Sequence, residues 1–456
     1  MTKAWARRAY SSVCSGRLPP IASRAVTVIS WVLRRQSRRR WFLWVVIGVI
    51  RKTATYTDPA RAKELSLVKL STVTTLRVLH HTGATKDNRL LTKRYRAAAI
   101  GRTGGGNYGH GLHIAYAGLA NVDFVAVADH DEAGREQARE VTGASQAYAD
   151  YHEMLAAEKP DLVSVCPRWT DCHLEMVLAC LEAGAHVYCE KPMTWNLADG
   201  DTIVSRADAL GRKVAVAHQA VYLPRIQGLR RLLRSGRIGE VQQIHAHGKQ
   251  DARGGGEDMI TLGTHLFNMM RYFAGNVRWI SGHVTVDGRE LGPEDVHEAT
   301  EPVGPVAGDS IESYYAFDSG IAGFFDSRRD QAGTNQRYGM EIVGSEGTIS
   351  LRGGAGSELM FYPYPVFRPA AQDQLWEALE DLPDEPLGRG NTLALEDLIQ
   401  AAEQNREPIS SARDAVAALE MILGTYESQI CGGRVPIPMA RREHPLAAWQ
   451  GRQRDS

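Results

Sequence analysis

From Tyr95 onward the chain alternates five runs of four or five mostly apolar residues with four amphipathic stretches. The runs fall at residues 96–100, 124–128, 162–166, 186–189 and 214–217. The stretches at 112–119, 151–157, 173–182 and 197–210 repeat their apolar residues every three and four positions, the helical period. Short strands that are apolar on both faces and alternate with helices cannot pair as hairpins. They predict an α/β domain with a doubly wound parallel sheet. Such a sheet binds its ligand at the carboxyl ends of its strands, so functional residues are to be sought just after each run.

The first such turn is Gly101-Arg102-Thr103-Gly104-Gly105-Gly106-Asn107-Tyr108-Gly109. A dinucleotide's diphosphate needs backbone N–H groups at close range, and glycine keeps side chains out of the way. The G-x-G-x-x-G frame can start at Gly101, with Thr103 and Gly106 in the second and third places, or at Gly104. The first frame is preferred because the first glycine should turn directly off the strand. Gly101, Thr103, Gly104, Gly105, Gly106 and Asn107 are therefore candidate cofactor contacts. Asp129 ends the second run, 28 residues after Gly101, where a carboxylate would accept hydrogen bonds from the adenosine ribose. A carboxylate there repels a 2′-phosphate, which favours NAD over NADP.

The fourth run leads into Glu190-Lys191-Pro192. Together with Pro167, His173, Gly184 and His186, this tripeptide resembles the Gfo/Idh/MocA family of glucose-fructose oxidoreductase and inositol dehydrogenase relatives. Later segments share the resemblance: 233–241, Gly344-Ser345-Glu346-Gly347-Thr348-Ile349 and Gly432-Gly433-Arg434-Val435-Pro436. It runs from about residue 95 to about 438. A lysine at the end of a parallel strand lies on the ligand rim, and a cationic nicotinamide beside it would lower its pKa. Lys191 is thus a candidate proton relay, with Glu190 and Pro167 serving the cofactor pocket.

After Val221 strands predominate, at 241–248, 277–286, 310–317, 321–328, 338–343 and 348–351, with closing helices at 391–404 and 413–428. This reads as a second, α+β domain. The resemblance implies an open, largely antiparallel sheet that shapes the substrate pocket and joins copies of the chain. It also implies a D-x-G-x-H-x-x-D pattern, whose places fall on Thr261, Gly263, His265 and Asn268. His265 is accordingly the candidate catalytic base, suited by an imidazole's pKa to taking a hydroxyl proton. Both family aspartates are replaced, by Thr261 and Asn268, and Val221 stands where the family has arginine. Asp258, Thr261 and Tyr222 are candidate substrate contacts. Residues 288–308 read as a long loop.

The formal charge is zero, but residues 1–95 hold 20 Lys and Arg against three acids, +17, which leaves −17 on the remainder. That negative remainder argues against a nucleic-acid surface. The expected domains are 1–94, a basic leader; 95–220, a Rossmann domain; 221–438, the α+β domain; and 439–456, a tail. The leader reads as a disordered tail, as the product of a start codon set too far upstream, or, on Arg39-Arg40-Trp41-Phe42-Leu43, as a twin-arginine-like export signal. Its apolar run 41–50 is too short for a bilayer, which takes about 20 residues. Six cysteines show no C-x-x-C spacing, and His245 with His247 lack a third ligand, so no metal is expected.

The resemblance then implies an NAD-dependent oxidoreductase passing hydride between nicotinamide and a secondary alcohol of a sugar, cyclitol or polyol. It would be cytoplasmic and homo-oligomeric, without nucleic acid or membrane as partner. Two alternatives stand beside it: a redox-neutral NAD-dependent glycosidase or lyase, and a non-catalytic dinucleotide sensor.

Overall fold

The structure, a computed structural model, describes residues 27–37, 40–50, 93–331, 338–354, 358–365, 375–379 and 382–454. In the leader, Thr27–Ser37 and Arg40–Ile50 pair as an antiparallel hairpin, a stretch for which the sequence suggested no regular structure. The apolar run 41–50 lies in its second strand, whereas Arg39 of the arginine pair is outside the described residues. The leader, Met1–Arg89, forms a unit of its own.

The strands expected from the apolar runs form at β1 (Tyr95–Ile100), β2 (Val122–Ala128), β4 (Leu162–Val165), β5 (His186–Cys189) and β6 (Val214–Val216), and a short β3 (Gln146–Tyr148) joins them. All pair in parallel, in the order β3-β2-β1-β4-β5-β6. The chain reverses direction of winding between β1 and β4. Their carboxyl ends therefore splay their loops apart into a crevice, the place where such sheets bind dinucleotides.

Helices α1 (Glu132–Thr142), α2 (Tyr151–Glu158), α3 (His173–Glu182) and α4 (Leu197–Leu210) connect the strands. Asp131, Asp150 and Asn196 cap α1, α2 and α4 by accepting first-turn N–H groups, the usual service of a short polar side chain there. The expected helix at 112–119 does not form: only a single turn, Ile114–Tyr116, is helical. Gly109, Gly111 and Gly118 all take positive φ, which interrupts any continuous α-helical ladder.

The second domain adds α5 (Pro224–Arg234), β7 (Val241–His247), α6 (Gly256–Thr261), α7 (Gly263–Ala274), β8 (Val277–Val286), β9 (Ser310–Phe317), β10 (Ala322–Arg328), β11 (Gly339–Gly344), β12 (Thr348–Arg352) and β13 (Glu358–Tyr362). Its main sheet runs β8-β9-β10-β7-β11-β12-β13, antiparallel except for β10 with β7. Alternation along the strands turns Ile244, Ile280, Ile311 and Phe325 into the core and leaves the opposite face half-open.

The last helices, α8 (Arg389–Gln404), α9 (Ala412–Cys431) and α10 (Pro445–Arg454), close the fold. Before α9 the chain touches the first sheet again, where Val216 N–H donates to Ser410 O at 2.9 Å. The stretch expected as a tail after 438 contains α10, whose Leu446 is buried. The 288–308 loop carries a short antiparallel pair, His297–Glu298 with Pro305–Val306.

Candidate active site

The glycine loop turns directly off β1, with Gly101 N–H donating to Ala128 O at 2.8 Å. It then folds on itself: Arg102 and Asn107 exchange main-chain hydrogen bonds, and Gly104 N–H donates to Asn107 Oδ1 at 2.9 Å. Gly106 takes φ +90°, and a Cβ there would come within 2.4 Å of Arg168 N and 2.7 Å of Trp169 N. Backbone thus meets backbone across the crevice with no room for a side chain. Gly109, in the frame set aside above, has the same need, since its Cβ would meet Cys166 O at 2.3 Å and Glu190 Oε2 at 2.4 Å. The glycine that packs the loop onto the sheet is therefore Gly109, which the preferred frame missed. A cradle that any Cβ would fill fits a bound dinucleotide, with Gly101 to Asn107 as its wall.

Asp129 stands at the end of β2 as expected, yet it is 2 % exposed and its carboxylate is already engaged. It accepts from Thr103 N–H (3.0 Å), Thr103 Oγ1–H (2.8 Å) and Asp131 N–H (3.1 Å), so it pins the loop from below. Tyr108 lies over Gly101, its hydroxyl pKa raised by burial and by the Asp129 charge. An adjoining cleft of about 300 Å³ between Gly101, Asp129, His130, Tyr151 and Glu175 has room for the adenosine end. Asp129→Ala would leave the half-buried Thr103 N–H without its carboxylate partner. The expected outcome is an NAD dissociation constant raised on the order of tenfold, measured by calorimetric titration.

Glu190 and Lys191 leave β5 into the same crevice, with a cis bond between Lys191 and Pro192. The Glu190 carboxylate accepts from Lys191 N–H (2.9 Å) and His110 N–H (2.9 Å), with His110 Nδ1 3.1 Å away. Burial works to raise its pKa, but the His110 hydrogen bond and the charges of His110 and Lys191 outweigh burial, so it stays below the ordinary value. His110, which sequence reasoning passed over, thus ties the end of the glycine loop to Glu190. Pro167 is bridged in turn to the segment after Lys191 by the buried His173 ring, 2.7 Å from Pro167 O and 3.0 Å from Met193 O.

Lys191 is 6 % exposed, and its Nζ donates to Thr261 O at 2.8 Å. Burial lowers its pKa, against the raising effect of Glu190 and Glu301, with Arg168 and Arg253 adding to the fall. Thr261 therefore contributes through its carbonyl, because its hydroxyl donates to Glu257 O within its own helix. One turn further, His265 in α7 is partly open, and among the described residues its ring has no hydrogen-bond partner. Dense packing, then the charge of Lys191, holds its pKa well below the usual imidazole value. A neutral imidazole, able to accept a proton, and a buried ammonium, able only to donate, thus stand one turn apart beside the crevice.

Two expected substrate contacts lie elsewhere. Tyr222 is buried, and its hydroxyl accepts Ser410 N–H at 3.0 Å, so it holds the loop before α9. Asp258 is fully buried against β10, with Oδ2 accepting from Ser327 Oγ–H (2.6 Å) and Gln250 N–H (3.0 Å), and desolvation raises its pKa. Both misjudgements have one cause: sequence position does not give side-chain direction. His245 and His247 are engaged too, by Gln243 and by Asp326.

A parallel sheet with a glycine cradle at its switch point, and a lysine and histidine at the rim, defines a dinucleotide-dependent oxidoreductase. Residues 98–218 match the "Oxidoreductase family, NAD-binding Rossmann fold" and residues 226–350 the "GFO/IDH/MocA C-terminal domain". The chain belongs to the Gfo/Idh/MocA family and is an NAD-binding oxidoreductase. It is 30% identical over 232 residues to the myo-inositol 2-dehydrogenase of Thermotoga maritima, which spans 49% of this chain and 66% of that protein. It is 25% identical to the D-apiose dehydrogenase of Paraburkholderia graminis, across 77% of this chain and 92% of that one. A levoglucosan dehydrogenase solved with NADH and levoglucosan superimposes with a TM-score of 0.62 at 18% identity, covering 76% of this chain and all of that one.

Proposed function

We propose that the protein oxidises a secondary alcohol of a sugar, cyclitol or related polyol with NAD, and that Lys191 and His265 handle the hydroxyl proton. The observation that carries this reading is the Lys191 ammonium, buried and fixed on Thr261 O one turn from a neutral His265 whose ring has no hydrogen-bond partner among the described residues. Bound NAD supplies the hydride acceptor. His265 accepts the hydroxyl proton, while Lys191 polarises the oxygen and offsets its developing negative charge. The dehydrogenases acting on inositol and apiose among its relatives support this substrate class. The test is nicotinamide reduction by the full chain across inositols, aldoses and glycosides, with NAD and NADP in parallel. Turnover of at least one polyol with NAD is expected, and a panel wholly inert despite NAD binding would refute the reading.

The open face of the second sheet supports self-association. Trp279, Tyr314, Phe324 and His245 form a continuous aromatic ladder over β8, β9, β10 and β7, with ring centroids 5.0, 5.3 and 4.5 Å apart. Such a half-buried apolar strip suits a second copy of the same surface. Phe324→Glu should convert the oligomer to monomer, read by light scattering after gel filtration. Among the described residues no helix is long and apolar enough to cross a membrane. A dehydrogenase that depends on recycled NAD fits the cytoplasm, and the negative charge of the folded part disfavours nucleic acid as partner.

A further inference from the structure

His218 follows β6 and has no part in the site described so far. Its ring is 2 % exposed and stands perpendicular to that of His265, with centroids 5.7 Å apart. Nδ1 lies 3.0 Å from Ser410 Oγ, and Nε2 lies 3.1 Å from Thr264 Oγ1. Asn268, one turn beyond Thr264, sets the direction of these bonds. Its Nδ2, which can only donate, is 3.4 Å from the same Ser410 Oγ. Ser410 is fully buried, and among the described residues its hydroxyl hydrogen has no acceptor other than His218 Nδ1. Thr264 is buried as well, and among the described residues its hydroxyl faces only Nε2, so one of the two hydroxyls donates to the ring and the other accepts from it. Ser410, polarised by the hydrogen bond it accepts from Asn268, is the stronger donor, which places the single imidazole hydrogen on Nε2.

We propose that the directed chain Asn268 Nδ2–H to Ser410 Oγ–H to His218 Nδ1, continued by His218 Nε2–H to Thr264 Oγ1, makes His218 a neutral positioning residue for His265. This deepens the alcohol-oxidation reading and rests on it. Among the described residues no carboxylate is hydrogen-bonded to His265 to orient it, and an immobilised, uncharged ring takes that part. Neutrality matters because the groups facing His218 already include two cations, Lys191 and Arg271, against Asp414 and Glu190, with His265 itself alongside. A further positive charge on His218 would oppose the proton that His265 must accept. Burial keeps His218 uncharged, with a pKa lowered to about 3.

The chain has a polarity that one substitution reverses. Asn268→Asp puts an acceptor where a donor stood. The Ser410 hydrogen is then drawn to the carboxylate, so His218 must donate from Nδ1 and accept the Thr264 hydrogen at Nε2, and the added negative charge raises the ring's pKa. In the full chain carrying ¹⁵N-labelled histidine, NMR should show His218 as the neutral Nε2–H tautomer in the wild type and as the Nδ1–H tautomer in Asn268→Asp. Turnover of the best polyol should fall roughly tenfold to a hundredfold in Asn268→Asp, with the KM for NAD unchanged and a new loss of activity on the acid side. His218→Phe, which keeps a ring but neither hydrogen bond, should lower kcat similarly. An Nδ1–H tautomer in the wild type overturns the proposal, as does wild-type kcat and pH profile in both variants. If no polyol is oxidised at all, the functional reading fails, and the tautomer alone still decides the relay.

Discussion

Lys191→Ala is expected to lower kcat for alcohol oxidation by roughly 10²- to 10⁴-fold while leaving the fold and NAD binding in place. The ammonium is held by one main-chain acceptor, Thr261 O, at the mouth of the crevice, and its removal costs α6 a single hydrogen bond. What disappears is the lysine charge that faces His265. His265→Ala should be similarly severe, and the double variant little worse than either alone, because groups that act on one proton as a unit are not additive. The pH profile carries the sign of the two shifts. His265 is depressed, so it remains an unprotonated base well below the pH at which free imidazole would fail, and the acid limb of oxidation moves down. Lys191 is depressed as well, by burial first, so loss of its charge brings the alkaline limb in below the ordinary lysine value. Stopped-flow nicotinamide absorbance across pH measures both limbs. Single variants that retain wild-type hydride-transfer rates would remove Lys191 and His265 from the chemistry.

The first sheet was legible because its strands are buried on both faces, and continuous apolar runs such as 186–189 match the strand His186–Cys189 end to end. Helix α1 was not, for the opposite reason: of Glu132–Thr142 only Ala138 is buried, so no apolar stripe advertises it. The segment 112–119 misled in the other direction, having the apolar spacing of a helix but glycines at 109, 111 and 118 that impose positive φ. The rim residues Lys191 and His265 could be found because strand ends and family pattern mark them. The residues behind them could not. Ser410 lies 145 positions after His265 in the chain, and its meeting with Asn268, His218 and Tyr222 is a product of the closing helices returning to β6. Asp258 shows the same limit, since a carboxylate three residues before Thr261 points into the sheet and away from the crevice.

Gly106→Ala should damage the cofactor loop far more than Gly104→Ala, although each adds a single methyl. Both glycines take positive φ, +90° and +79°, so alanine at either pays a backbone penalty of about 1–2 kcal/mol. Around Gly104 that is the whole penalty, because nothing lies within 4 Å of a Cβ. At Gly106 the methyl would press on Arg168 N and Trp169 N, which are main-chain atoms that cannot rotate aside. The loop after β4 must then retreat, which adds overpacking strain of about 1–3 kcal/mol. That retreat would also pull Pro167 from the His173 ring that bridges it to Met193, next to Lys191 and Pro192. The strain is thus delivered to the two walls of the crevice at once. Gly106→Ala should therefore lose both stability and NAD affinity, whereas Gly104→Ala should lose mainly stability. Thermal melts with and without saturating NAD separate the two effects, since a ligand raises the melting temperature only as far as it still binds the folded state. An NAD-induced shift in Gly106→Ala as large as in Gly104→Ala would mean that the dinucleotide does not use this approach between loop and strand end.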